Sequence, residues 1–208
     1  MTALNTRGRG RPQRTSAERV AQRARLLDGA MSAIRRLGPD ASIDQMAADA
    51  GVSKPVLYDE FGDKVGIAEA IAIEIAKAAE QTFIERLAAD GTLDIGAGAR
   101  AAVEALVDLV TEEPELYQFL VRTIRASDRG LFDISLVRAL DSRVHSITGL
   151  LVPRGDPELL SVLGHGTFGF VFAAVESWQR TQTPSREKLV DAIVTIVVHG
   201  FQAVGSLA

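Results

Sequence analysis

Apolar side chains in this chain recur at three- and four-residue steps, and no window sustains an alternation of period two bounded by turn signals. Val20, Ala24, Leu27, Met31, Ile34 and Leu37 form the first such stripe, the expected buried face of a helix that "GPD" at 38–40 ends. Ser42 has the character of an N-cap for a short helix with Ile43, Met46, Ala47 and Ala50 on one side, closed by Gly51. Ser53 is the next cap candidate, with Pro55 in the first turn, where its missing N–H costs nothing. A long helix is predicted over 64–88, with Ile67, Ile71, Ile75, Ala78 and Leu87 along it. Further helices are predicted over 97–111, 114–126, 132–151, 157–180 and 184–204, three of them with a proline near the start. The expectation is an all-α chain of about nine helices without internal repeats.

The chain has 208 residues, 47% of them hydrophobic, so it can fill a sizeable core. It has no cysteine, which excludes a disulfide framework and thiolate chemistry. The charged amino terminus lacks the apolar run of a signal peptide, and a cytoplasmic protein is expected. Residues 159–175 and 193–208 carry no Asp, Glu, Lys or Arg. They fall short of the roughly 18–20 strongly apolar residues of a membrane span and contain Gly, His, Ser, Thr or Gln. Helices buried on most of their faces are expected there, with no membrane partner.

Charge is distributed unevenly. Residues 1–36 hold nine Arg against two acids, a net of +7, whereas residues 37–64 hold two Lys against six acids, a net of −4. A basic end on an acidic body implies a polyanion touched at one end. Residues 1–16, "MTALNTRGRGRPQRTS", have too little apolar surface to offset their ordering entropy and are expected to form a disordered basic arm. Arg7, Arg9 and Arg11, spaced by Gly, suit a narrow minor groove, although a solubilising tail has the same composition.

Between Met46 and Leu57, the small residues Ala47, Ala50 and Gly51 allow two short helices to cross closely around a tight turn. Such a pair is either a helix-turn-helix or an ordinary helical corner. The stretch "RLLDGAMSAIRRLGPDASIDQMAADAGVSKPVLYDEFGDK", Arg25 to Lys64, resembles the amino-terminal DNA-binding domain of the tetracycline-repressor (TetR) family. "AGVSKPVLYDEFGDK" is its most diagnostic part, and the length and helical remainder are similar too.

The resemblance implies a basic arm (1–16), a three-helix helix-turn-helix DNA-binding domain (17–63) and a larger helical ligand-binding and dimerisation domain (64–208), with helix 64–88 as connector. By motif position, Ser42, Tyr58 and Lys64 would contact phosphates, and Ser53, Lys54, Pro55 and Val56 would lie at the groove-facing start of the recognition helix. Lys54 could reach guanine O6 or N7, and Pro55 and Val56 a thymine methyl. Val52, Leu57 and Phe61 are assigned to packing. Asp59 and Glu60 depart from the aromatic, histidine or basic residues common in that family. They either face solvent or a neighbouring Arg, or act on DNA by accepting from cytosine N4 or repelling wrong sequences.

"GHGTFG", Gly164 to Gly169, matches a dinucleotide-loop pattern but follows a helical segment, not a strand, so small residues for close helix approach are the better reading. In the family the last two long helices pair with their symmetry mates; here Gly166, Gly169, Val194 and Val198 would lie in that interface. Candidate pocket liners are Leu116, Tyr117, Phe119, Leu120, Phe168, Phe172 and Trp178, with Arg122, Arg125 or His165 as polar anchors. Each of the aromatics could equally be core. His145, His165 and His199 have no metal-ligand spacing, and no cofactor, metal or catalytic motif is present, so no enzyme is expected.

The expected function is a ligand-responsive transcriptional regulator, a repressor, binding a palindromic operator as a homodimer and released by a small apolar or mixed-polarity effector. The alternatives are a helical ligand-binding or interaction protein without sequence-specific DNA binding, and a sequence-independent DNA-compacting protein favoured only by the arginine arm.

Overall fold

The computed structural model describes residues 15–88, 95–126 and 156–205, and every element in them is a helix. The predicted helix 132–151, with His145, and the arm residues Arg7, Arg9 and Arg11 lie outside the described residues, as do the side chains of Leu87 and Arg125.

Helix α1 (Ser16–Leu37) opens with a capping box in which Thr15 and Glu18 satisfy each other's backbone N–H groups. It stops at Gly38, whose φ of +92° suits a residue without Cβ. Its buried stripe is Leu26, Leu27, Ala30, Ala33 and Ile34. The expected stripe is therefore corrected at both ends: Val20, Ala24 and Leu37 are exposed, and the apolar core takes α1 side chains only between Leu26 and Ile34.

Helix α2 (Ile43–Asp49) has a second capping box, between Ser42 and Gln45. Its carboxyl end meets α1 where Gly29 leaves no room: a Cβ there would lie 2.4 Å from Ala50 Cα. Gly51, at φ +68°, turns the chain into α3 (Lys54–Phe61), while Val52 N–H donates to the Ala47 carbonyl at 2.9 Å. Leu57 and Phe61 anchor α3 in the core. Ser53 occupies the N-cap position, but its side chain makes no capping hydrogen bond, unlike Ser42.

Gly62 (φ +80°) ends α3, and the Asp63 carboxylate accepts from Gly66 N–H at 2.9 Å to start α4 (Lys64–Ala88). Ile67, Ala68, Ala70 and Ile71 of α4 complete a core shared with α1, α2 and α3. Helices α5 (Ile95–Glu112) and α6 (Pro114–Ala126) are separated by Glu113 alone. Helices α7 (Pro157–Thr181) and α8 (Arg186–Gly205) complete the described elements, with Asp156 capping α7 through Glu158 N–H.

Two large apolar clusters organise these helices, beside a small one of Leu160 and Phe201 between α7 and α8. The first joins α1–α4, called the head below, and also takes Leu116, Phe119 and Leu120 of α6, whereas α5, α7 and α8 form the body. The second joins α5, α7 and α8 through Val103, Val107, Val175, Trp178, Val190 and Ile193, and takes Tyr117 from the other side of α6. Helix α6 thus lies between head and body and contributes side chains to both cores. Trp178 Nε1 donates to the Pro184 carbonyl at 2.6 Å and ties α7 to the turn before α8.

Helix α7 is long and apolar enough to cross a membrane by length and composition, with a mean hydropathy of 1.5 over its most apolar window. The expectation of a helix buried on most faces fails within the single chain, where only Leu160, Gly164, Val175 and Trp178 are buried. Leu159, Val162 and Phe170 stand exposed along its other side, because the described helices pack against one flank only.

Candidate nucleic-acid interface

The candidate residues lie at the starts of α2, α3 and α4. Ser42 Oγ accepts from Gln45 N–H at 3.3 Å and Gln45 Oε1 from Ser42 N–H at 2.7 Å, so the hydroxyl proton of Ser42 is still available to an outside acceptor. Lys54 and Pro55 are exposed at the first turn of α3, and Ser53 stands beside them with an uncommitted cap position. Tyr58 is 43% exposed one turn on, its ring centroid 5.9 Å from Lys54 Nζ. Lys64 is half-buried at the first position of α4. The structure therefore brings Ser53, Lys54, Pro55 and Tyr58 together on one short helix start. Val56 differs: it is half-buried and packed against the head core, leaving only part of it for a partner.

The cations of this head are largely paired. Lys54 Nζ lies 2.9 Å from Asp44 Oδ2, and that hydrogen bond, followed by the charge of Asp44, raises the lysine above its usual range. Arg36 pairs with Asp49 at 2.5 Å. Arg23 donates to the Glu60 carboxylate at 2.8 Å and to its backbone carbonyl at 3.2 Å, while its guanidinium lies 4.7 Å from the Phe61 ring centroid. Glu60 is thereby turned toward α1 and occupied by an arginine. Asp59 is exposed and has no ion pair among the described residues, as is true of Arg19 and Arg25 on α1.

Beside the packing of α6 between head and body, two ion pairs that no local pattern announces link α1 and the turn after it to the α5–α6 segment. Arg35 of α1 grips Glu113 with both arms, Nε to Oε2 at 2.8 Å and Nη2 to Oε1 at 2.8 Å, and this raises the arginine's pKa. Arg122 of α6 donates to Asp40 at 3.0 Å and to Gln118 at 3.0 Å. Arg122 is thus engaged with the turn after α1.

The other proposed liners are divided between the two cores. Leu116, Phe119 and Leu120 pack with the head, and Tyr117 and Trp178 with the body. Only Tyr117, Phe172 and Phe168 come together as rings, with centroids 6.2 Å and 6.4 Å apart in succession. His165 lies a turn before Phe168, its Nδ1 2.7 Å from the Ser161 carbonyl. Sequence reasoning missed a shallow groove of about 230 Å³ between α4 and α5, lined by Ile75, Ala78, Thr82, Ala105, Leu109 and Glu113. Among the described residues no three His, Asp or Glu side chains are gathered as a metal set.

On α7 and α8, Gly166 is exposed, with nothing within 4 Å of an added Cβ, and Gly169 is half-buried. Val198 is half-buried against the body core, and Val194 is inside it at 9% exposure. Val194 therefore faces its own chain, and Ile196, 57% exposed, takes the outward position on α8.

Residues 26–71 match the family model described as bacterial regulatory proteins, tetR family. An uncharacterized HTH-type transcriptional regulator of Mycobacterium tuberculosis is 34% identical over 127 residues, 60% of this chain and 53% of its own length. The aligned part thus spans about half the length of this curated relative. In fold, the chain is similar to a putative TetR-family transcriptional regulator from Rhodococcus sp. (TM-score 0.63, 19% identity, covering 89% of this chain and 98% of that one). It is also similar to the transcriptional regulator FadR of Bacillus subtilis in complex with stearoyl-CoA (TM-score 0.60, 16% identity, covering 85% and 98%).

Proposed function

We propose that this chain, whose residues 26–71 match the model of bacterial regulatory proteins of the tetR family, is a member of that family: a cytoplasmic, ligand-responsive repressor that binds a palindromic operator as a homodimer. One observation carries the DNA-reading part: a short helix held in the core by Leu57 and Phe61 presents Lys54, Pro55 and Tyr58 outward from its first turns. That is the side chain placement a recognition helix needs for base edges and phosphates. Arg7, Arg9 and Arg11 would add minor-groove and phosphate contacts, each steepening the log–log salt dependence by about 0.9.

Dimerisation is supported by the exposed strip of Leu159, Val162, Gly166 and Phe170 on α7 and by Ile196, exposed on α8. Covering that strip with its symmetry copy would bury apolar surface that a monomer leaves in water. An effector would act by favouring a head-to-head spacing that does not match the operator. Nearly complete switching requires about 5.5 kcal/mol of preference between the two states. The stearoyl-CoA in the Bacillus subtilis neighbour and the ring cluster of Tyr117, Phe168 and Phe172 support an effector with a large apolar part.

The test is a mobility-shift titration on the DNA upstream of the protein's own coding sequence against a scrambled duplex. A sequence-specific regulator retards the first at far lower concentration; equal retardation of both indicates a DNA-compacting protein, and no retardation indicates a protein that does not bind DNA.

A further inference from the structure

We propose that Asp44 is a specificity-determining residue that acts through Lys54, suppressing binding to DNA that offers only phosphates; this rests on the DNA-reading function proposed above. The capping box of Ser42 and Gln45 fixes the start of α2 and sets Asp44 in its first turn, where the helix dipole favours an anion. Lys54 stands at the first position of α3, where the dipole disfavours a cation. The turn at Gly51 folds the two helix starts together, and the carboxylate takes the ammonium at 2.9 Å. The exposed cation at the start of α3 is thus paired before any DNA arrives.

The pair is exposed, with side chains 44% and 65% accessible for Lys54 and Asp44, so it is screened and exchangeable. Exchange has unequal consequences on different DNA. If Lys54 turns to a phosphate, Asp44 is left as an unpaired anion beside a polyanion, and its repulsion offsets the new ion pair. If Lys54 turns to guanine O6 and N7, the neighbouring cytosine N4 amino group is a donor that can take its place on Asp44. The acid therefore penalises phosphate-only registers and tolerates those with a G·C pair beneath the start of α3.

The full chain, and its Asp44→Asn, Lys54→Gln and doubly substituted forms, are titrated on two duplexes. One is a sequence enriched from a random pool by the wild-type chain, and the other is its scrambled version. Asp44→Asn is expected to tighten binding to the scrambled duplex about two- to fivefold, the range of an exposed charge pair. It also steepens that duplex's salt slope by about 0.9 as Lys54 engages a phosphate. The ratio of enriched to scrambled affinity falls, and in the Lys54→Gln background Asp44→Asn leaves that ratio unchanged. A ratio unaltered by Asp44→Asn, or altered equally with and without Lys54, overturns the proposal. If the wild-type chain enriches no sequence, the DNA-reading function itself fails and this inference with it.

Discussion

Arg35 and Glu113 are 78 positions apart in sequence, yet they meet in a two-armed ion pair that fastens α1 of the head to the junction of α5 and α6. The same carboxylate borders the groove between α4 and α5. A molecule seated in that groove therefore lies next to a polar tie between α1 and the α5–α6 junction.

Both members of this pair are more than a third exposed, with side chains 46% and 35% accessible, so screening limits its worth to about 1 kcal/mol despite the fork geometry. Glu113→Gln is expected to lower the melting temperature by about 2–4 °C. Arg35→Gln should do the same, and the double variant should lose less than the two single losses together. Thermal melts of the four proteins check this, and strictly additive losses would show that the two residues do not interact.

Three glycines of the head differ in what a methyl group would meet. At Gly66 an added Cβ would sit 1.8 Å from the Phe61 carbonyl oxygen, and at Gly29 2.4 Å from Ala50 Cα, both backbone atoms that cannot swing away. At Gly51 there is open space, and only the φ of +68° opposes a side chain. Alanine at position 66 or 29 is expected to cost about 1–3 kcal/mol by overpacking. At Gly51 the cost is about 1 kcal/mol of left-handed backbone. Denaturant unfolding of the three variants should return that order.

Much of this is legible in the sequence where punctuation is strong. The starts of α4 and α6 agree with those expected, because Gly62, Asp63 and Pro114 mark them chemically. Periodicity does less well on α1: it identifies a face but not how far the neighbouring helices extend along it, and so places Val20, Ala24 and Leu37 in a core they do not reach. On α8 the apolar residues run nearly all round, and nothing local separates Val194, buried, from Ile196, exposed. The pairs of Lys54 with Asp44, Arg23 with Glu60 and Arg35 with Glu113 join residues brought together by turns and tertiary packing. The acidic character of "KPVLYDEF" thus has a partial structural explanation, since Glu60 is taken by an arginine from another helix.

The split between Val194 and Gly166 separates folding from association. Gly166→Leu places its side chain in open space in the single chain and is expected to leave the protomer folded while weakening the dimer. Val194→Ala removes two methyl groups from the body core and is expected to cost about 2 kcal/mol in stability. Sedimentation and thermal melts of the two variants should show opposite patterns. A full-strength dimer for Gly166→Leu would move the interface elsewhere on the surface.

The arginine arm makes a separate, ionic contribution. Removing residues 1–14 is expected to flatten the salt dependence of DNA binding by about 0.9 for each phosphate the arm neutralises, some 3 in log–log slope for three arginines. Titrations at several salt concentrations with full-length and shortened protein measure this, and an identical slope for both would reject a role for the arm.

The central claim, that the exposed start of α3 reads a DNA sequence, is tested most directly by equilibrium titration of the wild-type chain. The two duplexes are its own upstream DNA and a scrambled duplex of the same length, at one stated salt concentration. The predicted result is a preference on the order of 10³-fold or more for the upstream duplex, largely abolished by Lys54→Gln. Superimposable binding curves on the two duplexes would contradict it.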